Sequence, residues 1–196
     1  VTSQSPDMQK SMKIIWEHLL PGMQSGVLPE NGEEQATLKK ELSALVLPVV
    51  KGSKTSAISS RYHKKKWTVE PNDLPIKSLE FSFSGKGCVL SVASDTSTST
   101  LEFGWENWIL NRSRELYIFR AGDMVPKPTR IAGTATWVDD HTLQLNLRFV
   151  EAIFGDRLTC VFGDDGVTVT FLNSVAETAV KKTVDPRKPL IGRGEI

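Results

Sequence analysis

Between Leu79 and Phe171 apolar residues recur at every second position, run after run, and each run stops at a Gly, Asp or Ser turn. A period of two places all the apolar side chains of a strand on one face. One-faced strands in series must curl around a shared core or close into a barrel. The runs are Leu79-x-Phe81-x-Phe83, Cys88-x-Leu90-x-Val92, Leu101-x-Phe103-x-Trp105 and Gly133-x-Ala135-x-Trp137. Three more follow, through Leu143 to Phe149, Leu158 to Phe162, and Val167 to Phe171. With a weaker candidate over Arg61 to Val69, the spacing predicts about eight strands. Turns as short as Ser84-Gly85-Lys86-Gly87 and Gly163-Asp164-Asp165-Gly166 predict antiparallel pairing. Residues 106–130 carry Pro126 and Pro128 and read as irregular, apart from a short strand over Leu116 to Phe119.

Two helices precede the strands. Ser5-Pro6-Asp7 supplies capping chemistry, and Met8, Met12, Ile15, Trp16 and Leu19 form one apolar stripe ending at Pro21-Gly22. Leu38, Leu42 and Leu45 mark a second amphipathic helix that stops before Pro48. A helix with a single apolar face needs a partner surface, so Met12, Ile15, Trp16 and Leu19 are candidate interdomain contacts. The organisation expected is a helical lead-in over 1–50, a linker over 51–59, an antiparallel barrel over 60–180 and an extended basic tail over 181–196. The fold class is mainly β with N-terminal helices, α+β.

A chain of 196 residues buries roughly 70% of its unfolded surface and needs no metal or disulfide to fold. A net charge of +1 gives no field for wholesale nucleic-acid or membrane-surface binding. No apolar run is long enough for a helical membrane span, and Val1 to Lys10 has no signal-peptide core. The start at Val1 reads as a fragment of something longer. Cys88 and Cys160 both fall on the apolar phase of their strands and read as buried thiols, with pairing left open.

No residues line up for catalysis. No Ser has Lys three positions on, neither Tyr62 nor Tyr117 has Asn two positions on, and Gly-x-Ser-x-Gly is absent. His18, His63 and His141 share no ligand spacing, so neither a metal nor a cofactor is expected. Asp139-Asp140-His141 has acid/base residue types, but Asp-Asp is also ordinary turn chemistry. The basic run His63 to Lys66 beside Trp67 reads as a solvated strand edge. Asn111-Arg112-Ser113 matches a glycosylation sequon. Trp105, Trp108 and Trp137 are the candidate ligand contacts: aromatic rings near a barrel mouth either fill the core or line a pocket for a small apolar ligand.

Several stretches together resemble one family. Trp16-Glu17-His18-Leu19-Leu20-Pro21-Gly22-Met23, the helix Leu38 to Leu47, and Glu70-Pro71-Asn72-Asp73-Leu74-Pro75 running into Phe83 occur in order. Gly133 to Leu143, with Trp137-Val138-Asp139-Asp140-His141-Thr142, and Leu190-Ile191-Gly192-Arg193 complete the series. This order is similar to the C-terminal region of bacterial β-lactamase-related, penicillin-binding-protein-like serine hydrolases. The resemblance implies a lipocalin-like barrel attached to an N-terminal hydrolase domain, which would carry the nucleophile, with a periplasmic or secreted parent. It implies a non-catalytic accessory role, shaping substrate access or assembly. A free-standing barrel binding a small apolar ligand, and a structural or oligomerisation module, are the alternatives.

Overall fold

Asp7 opens the first helix: its carboxylate accepts the Lys10 N–H at 3.0 Å, satisfying an amide that the first turn leaves orphaned. The structure, a computed structural model, describes residues 7–113, 129–152, 154–178 and 184–194. Two units divide the chain, Val1–Pro48 and Val49–Ile196. In the first, α1 (Met8–Ile14) passes into a π-helical turn over Ile15–Leu19 and a 3-10 turn at Leu20–Gly22. Asn31 then caps α2 (Gly32–Ala44) by accepting the Glu34 N–H. No residue of either helix is buried.

Among the described residues, the second unit holds ten strands in one sheet. They are β1 (Lys66–Val69), β2 (Ser78–Phe83), β3 (Gly87–Ala93), β4 (Thr98–Trp105) and β5 (Ile109–Ser113), then β6 (Thr129–Trp137), β7 (Thr142–Phe149), β8 (Gly155–Phe162), β9 (Gly166–Asn173) and β10 (Leu190–Gly194). Short helices α3 (Ser59–Tyr62) and α4 (Ser174–Thr178) sit before β1 and after β9. The order is β4-β3-β2-β1-β10-β9-β8-β7-β6-β5, so two meanders, β1 to β4 and β5 to β9, are joined edge to edge.

Each seam has its own device. At the first, β10 lies antiparallel to both β1 and β9. Gly192 is inward here, and a Cβ on it would come within 2.9 Å of both Trp67 and Val167, so only glycine lets the strand pass those side chains. At the second, β4 pairs in parallel with β6 at Gly104–Thr134 and Trp105–Ala135, and β5 takes the lower half of β6. A Cβ on Gly133 would meet the Glu102 carbonyl oxygen at 2.7 Å, which explains glycine at this close approach. The Asn111 side-chain amide substitutes for a strand partner: its Oδ1 accepts the Glu102 N–H and its Nδ2 donates to the Glu102 carbonyl, both at 2.8 Å.

Alternation sets what is inside. Along β7 every second residue, Leu143, Leu145, Leu147 and Phe149, is buried. Rings fill one end: Tyr62 stacks on Phe162 at 4.9 Å between centroids, and Phe162 also contacts Phe81 at 5.2 Å and Trp137 at 5.6 Å. The register gathers the β2–β3, β6–β7 and β8–β9 turns at that end. The opposite end is closed by charge. Asp156 points inward from β8, and Arg187 meets it with two hydrogen bonds, 2.8 and 3.1 Å. Arg187 also bonds Asp185 at 2.6 and 2.8 Å and lies 4.7 Å from the Phe171 ring centroid. All three side chains are nearly inaccessible.

Four sequence expectations are corrected. The strand count among the described residues is ten rather than about eight, and the pairing is not wholly antiparallel, because β4 and β6 run in parallel. Within the extended tail expected over 181–196, Leu190–Gly194 is a strand inside the sheet, between β1 and β9, rather than outside the 60–180 barrel. The 51–59 linker is bound to the barrel: Ser53 and Trp137 exchange both backbone hydrogen bonds, and Ser56 Oγ donates to the Asp140 carbonyl. The strand over Leu116 to Phe119 falls outside the described residues.

Candidate functional site

The ring-filled end of the barrel carries an open cleft. α3 enters it from the chain before β1, because Tyr62 buries its ring on Phe162 and donates its hydroxyl to the Gly163 carbonyl at 3.1 Å. That anchoring fixes Ser59, Ser60 and His63 along one rim. The end of β2 supplies Phe83, the β2–β3 turn supplies Ser84 and Gly85, and Trp105 and Trp137 come from the ends of β4 and β6. Lys54 and Thr55 complete the wall of a cleft of about 510 Å³.

The walls are held rigidly. Trp105 donates its indole N–H to the Ser84 carbonyl at 2.8 Å, tying β4 to the β2–β3 turn. Trp137 is 2% exposed and packs 5.4 Å from the half-buried Phe83 ring. Its indole Nε1 is buried with no hydrogen-bond partner. His63 accepts the Phe83 backbone N–H on Nδ1 at 2.9 Å, so the neutral imidazole carries its proton on Nε2. Lys54 reaches Glu106 at 2.5 Å, both side chains being more than half exposed. Glu106 occupies the left-handed region at φ 56°, in the tight turn between β4 and β5.

The structure therefore brings Trp105 and Trp137 together and leaves Trp108, half-buried, outside the lining residues. Phe83, His63, Lys54 and the α3 serines were not singled out as site residues by the sequence. Alternation marks Phe83 as a core ring, and nothing local signals that α3 folds over the barrel end. Among the interdomain candidates, Met12, Trp16 and Leu19 are exposed on the N-terminal unit and Ile15 is half-buried.

The remaining candidate chemistry resolves into structure. The Asp139 carboxylate accepts the His141 backbone N–H at 2.8 Å, which holds its pKa below the usual carboxylate range, as turn chemistry requires. His141 Nδ1 lies 3.3 Å from the Phe162 carbonyl. The sequon asparagine spends its amide on the β4–β5 seam. Cys88 and Cys160 are free and buried, and burial pushes both thiols up. Among the described residues no His, Cys, Asp or Glu cluster could hold a metal, and no helix is long and apolar enough to cross a membrane.

No protein-family model matches the chain, and no curated protein matches it either. Solved structures do. A fatty acid-binding protein from Drosophila melanogaster brain tissue is 11% identical, with a TM-score of 0.46 over 67% of this chain and 98% of its own. A fatty acid-binding protein of Schistosoma mansoni, solved with arachidonic acid, is 8% identical, with a TM-score of 0.46 over 70% of this chain and 97% of its own. A fatty acid transporter is 9% identical at the same TM-score of 0.46, over 67% and 95%. A likeness of this degree assigns neither family nor ligand.

Proposed function

We propose that this barrel is a non-catalytic binding module whose end cleft takes a small apolar molecule. The observation that carries the reading is the meeting of Phe83, Trp105 and Trp137 in the wall of one open cleft of about 510 Å³. That volume falls in the usual range for small-molecule sites, which pair apolar walls with a few polar groups. Here the polar groups are His63, Lys54 and the hydroxyls of Thr55, Ser59 and Ser60. Covering apolar wall returns about 25 cal/mol per Å² removed from water. The walls are already braced by the Trp105–Ser84 and His63–Phe83 hydrogen bonds, so little ordering cost attends binding.

The test is titration with the neutral apolar dye N-phenyl-1-naphthylamine. Gly85 lines the cleft with nothing within 4 Å of where a Cβ would stand, so Gly85→Tyr adds a ring at the cleft with no clash at its Cβ. Saturable one-to-one binding weakened at least tenfold in Gly85→Tyr supports the reading. Binding that fails to saturate, or that the substitution leaves unchanged, refutes it.

The N-terminal unit supports a second reading. Met12, Trp16 and Leu19 are 41%, 63% and 60% exposed, a large apolar stripe for one short helical segment. In this reading the chain is the C-terminal accessory part of a β-lactamase-related serine hydrolase, and the stripe faces the hydrolase domain. An in-frame coding sequence before Val1 containing Ser-x-x-Lys and Tyr-x-Asn supports it. A start codon immediately before Val1 contradicts it.

A further inference from the structure

We infer that the end cleft selects an anionic ligand, a small aromatic or aliphatic carboxylate, over its neutral counterpart; this rests on the cleft being a binding site at all. The argument is the donor balance of the wall. None of the ten lining residues is Asp or Glu, whereas Lys54 and His63 are both present.

His63 is committed by geometry. Its Nδ1 is occupied as acceptor by the Phe83 amide at 2.9 Å, so the neutral ring can offer a ligand only the Nε2–H donor. The same backbone contact fixes the ring, which removes the freedom to flip and present an acceptor instead. Two wall acceptors already take a hydrogen bond: the Ser84 carbonyl accepts the Trp105 indole N–H, and Ser84 Oγ accepts the Lys86 N–H while donating to the Gly87 carbonyl.

Lys54 adds positive charge beside this donor, partly neutralised by Glu106, which is not a lining residue. An anion at the rim would share the Lys54 ammonium with Glu106 and accept from His63 Nε2. Because the Lys54–Glu106 pair is solvated, its field is screened and the preference is moderate. Replacing a neutral acceptor by a charged one on one donor corresponds to about a tenfold gain.

The experiment compares 2-naphthoate with 2-naphthamide, which share ring and shape and differ in charge. Both are titrated against the whole chain at neutral pH and low salt. Naphthoate is expected to bind about tenfold more tightly, and the ratio should fall toward one in His63→Phe and in Lys54→Met. Equal affinities for the two probes would overturn the inference and leave the cleft reading standing. Binding of neither would overturn both. A preference for naphthoate unchanged in both variants would place the anion elsewhere and also refute it.

Discussion

Arg187→Met tests how the barrel is held shut at the end away from the cleft. Arg187 pairs with two inaccessible carboxylates: its side chain is 9% exposed, with Asp156 at 0% and Asp185 at 4%. Methionine keeps most of the stem but removes the guanidinium that lies over Phe171 and strands both charges. Removing one partner of a buried ion pair costs about 3–5 kcal/mol. The consequence extends beyond the triad. Asp185 also accepts the Asn173 backbone N–H at 2.8 Å and so pins the chain that leads into β10 onto the end of β9. Since β10 is the seam between the two meanders, loosening its entry exposes the interior between β1 and β9. Urea unfolding followed by tryptophan fluorescence is the assay. With a slope of about 2 kcal/mol/M for a protein of this size, the midpoint should fall by about 1.5–2.5 M. The deficit should shrink at acid pH, where the stranded carboxylates take up protons. A fall under about 0.5 M at neutral pH, or one that does not change with pH, would refute the reasoning.

Four further outcomes follow from the structure. Burial alone would raise the pKa of Asp185, but hydrogen bonds from Arg187 outweigh it and depress the value to about 2 from 3.8. A depressed carboxylate stabilises the fold above its unfolded pKa, and that contribution, about 2 kcal/mol, is lost as pH falls from about 3.8 to about 2. Asp156 is raised instead, because burial outweighs Arg187, so Asp156→Asn should cost less than Asp185→Asn in denaturation at neutral pH. Asn111→Ala removes the side-chain pairing to Glu102, which should lower stability by about 1–3 kcal/mol and speed hydrogen exchange at the Glu102 amide selectively. Gly192→Ala places a methyl within 2.9 Å of Trp67 and Val167, and a loss of about 1–3 kcal/mol in thermal unfolding is expected; no loss would mean the seam yields.

Much of the barrel was legible because alternation is a direct image of burial. Leu143, Leu145, Leu147 and Phe149 read as one inward face, and they are. The two strands that close the seams were not legible for the same reason. β10 offers glycine inward between Trp67 and Val167, and β5 offers an asparagine, so neither shows an apolar period. In both places backbone approach, rather than side-chain burial, decides the structure. The site divides in the same way. Trp105 and Trp137 were visible as rings near a mouth, whereas His63 and the α3 serines join them only because Tyr62 anchors α3 across the barrel end. The aspartates and histidine of the β6–β7 turn looked like chemistry and serve the turn.

The most direct measurement of the binding claim is a nitrogen–proton correlation spectrum of the five indole N–H groups during titration with N-phenyl-1-naphthylamine. Trp105 and Trp137 line the cleft, Trp67 is fully buried beside β10, and Trp16 lies in the N-terminal unit. The account predicts saturable shifts at Trp105 and Trp137 with one common affinity, and a still signal from Trp16. Shifts confined to Trp16, or none at Trp105 and Trp137 at saturating dye, would contradict it.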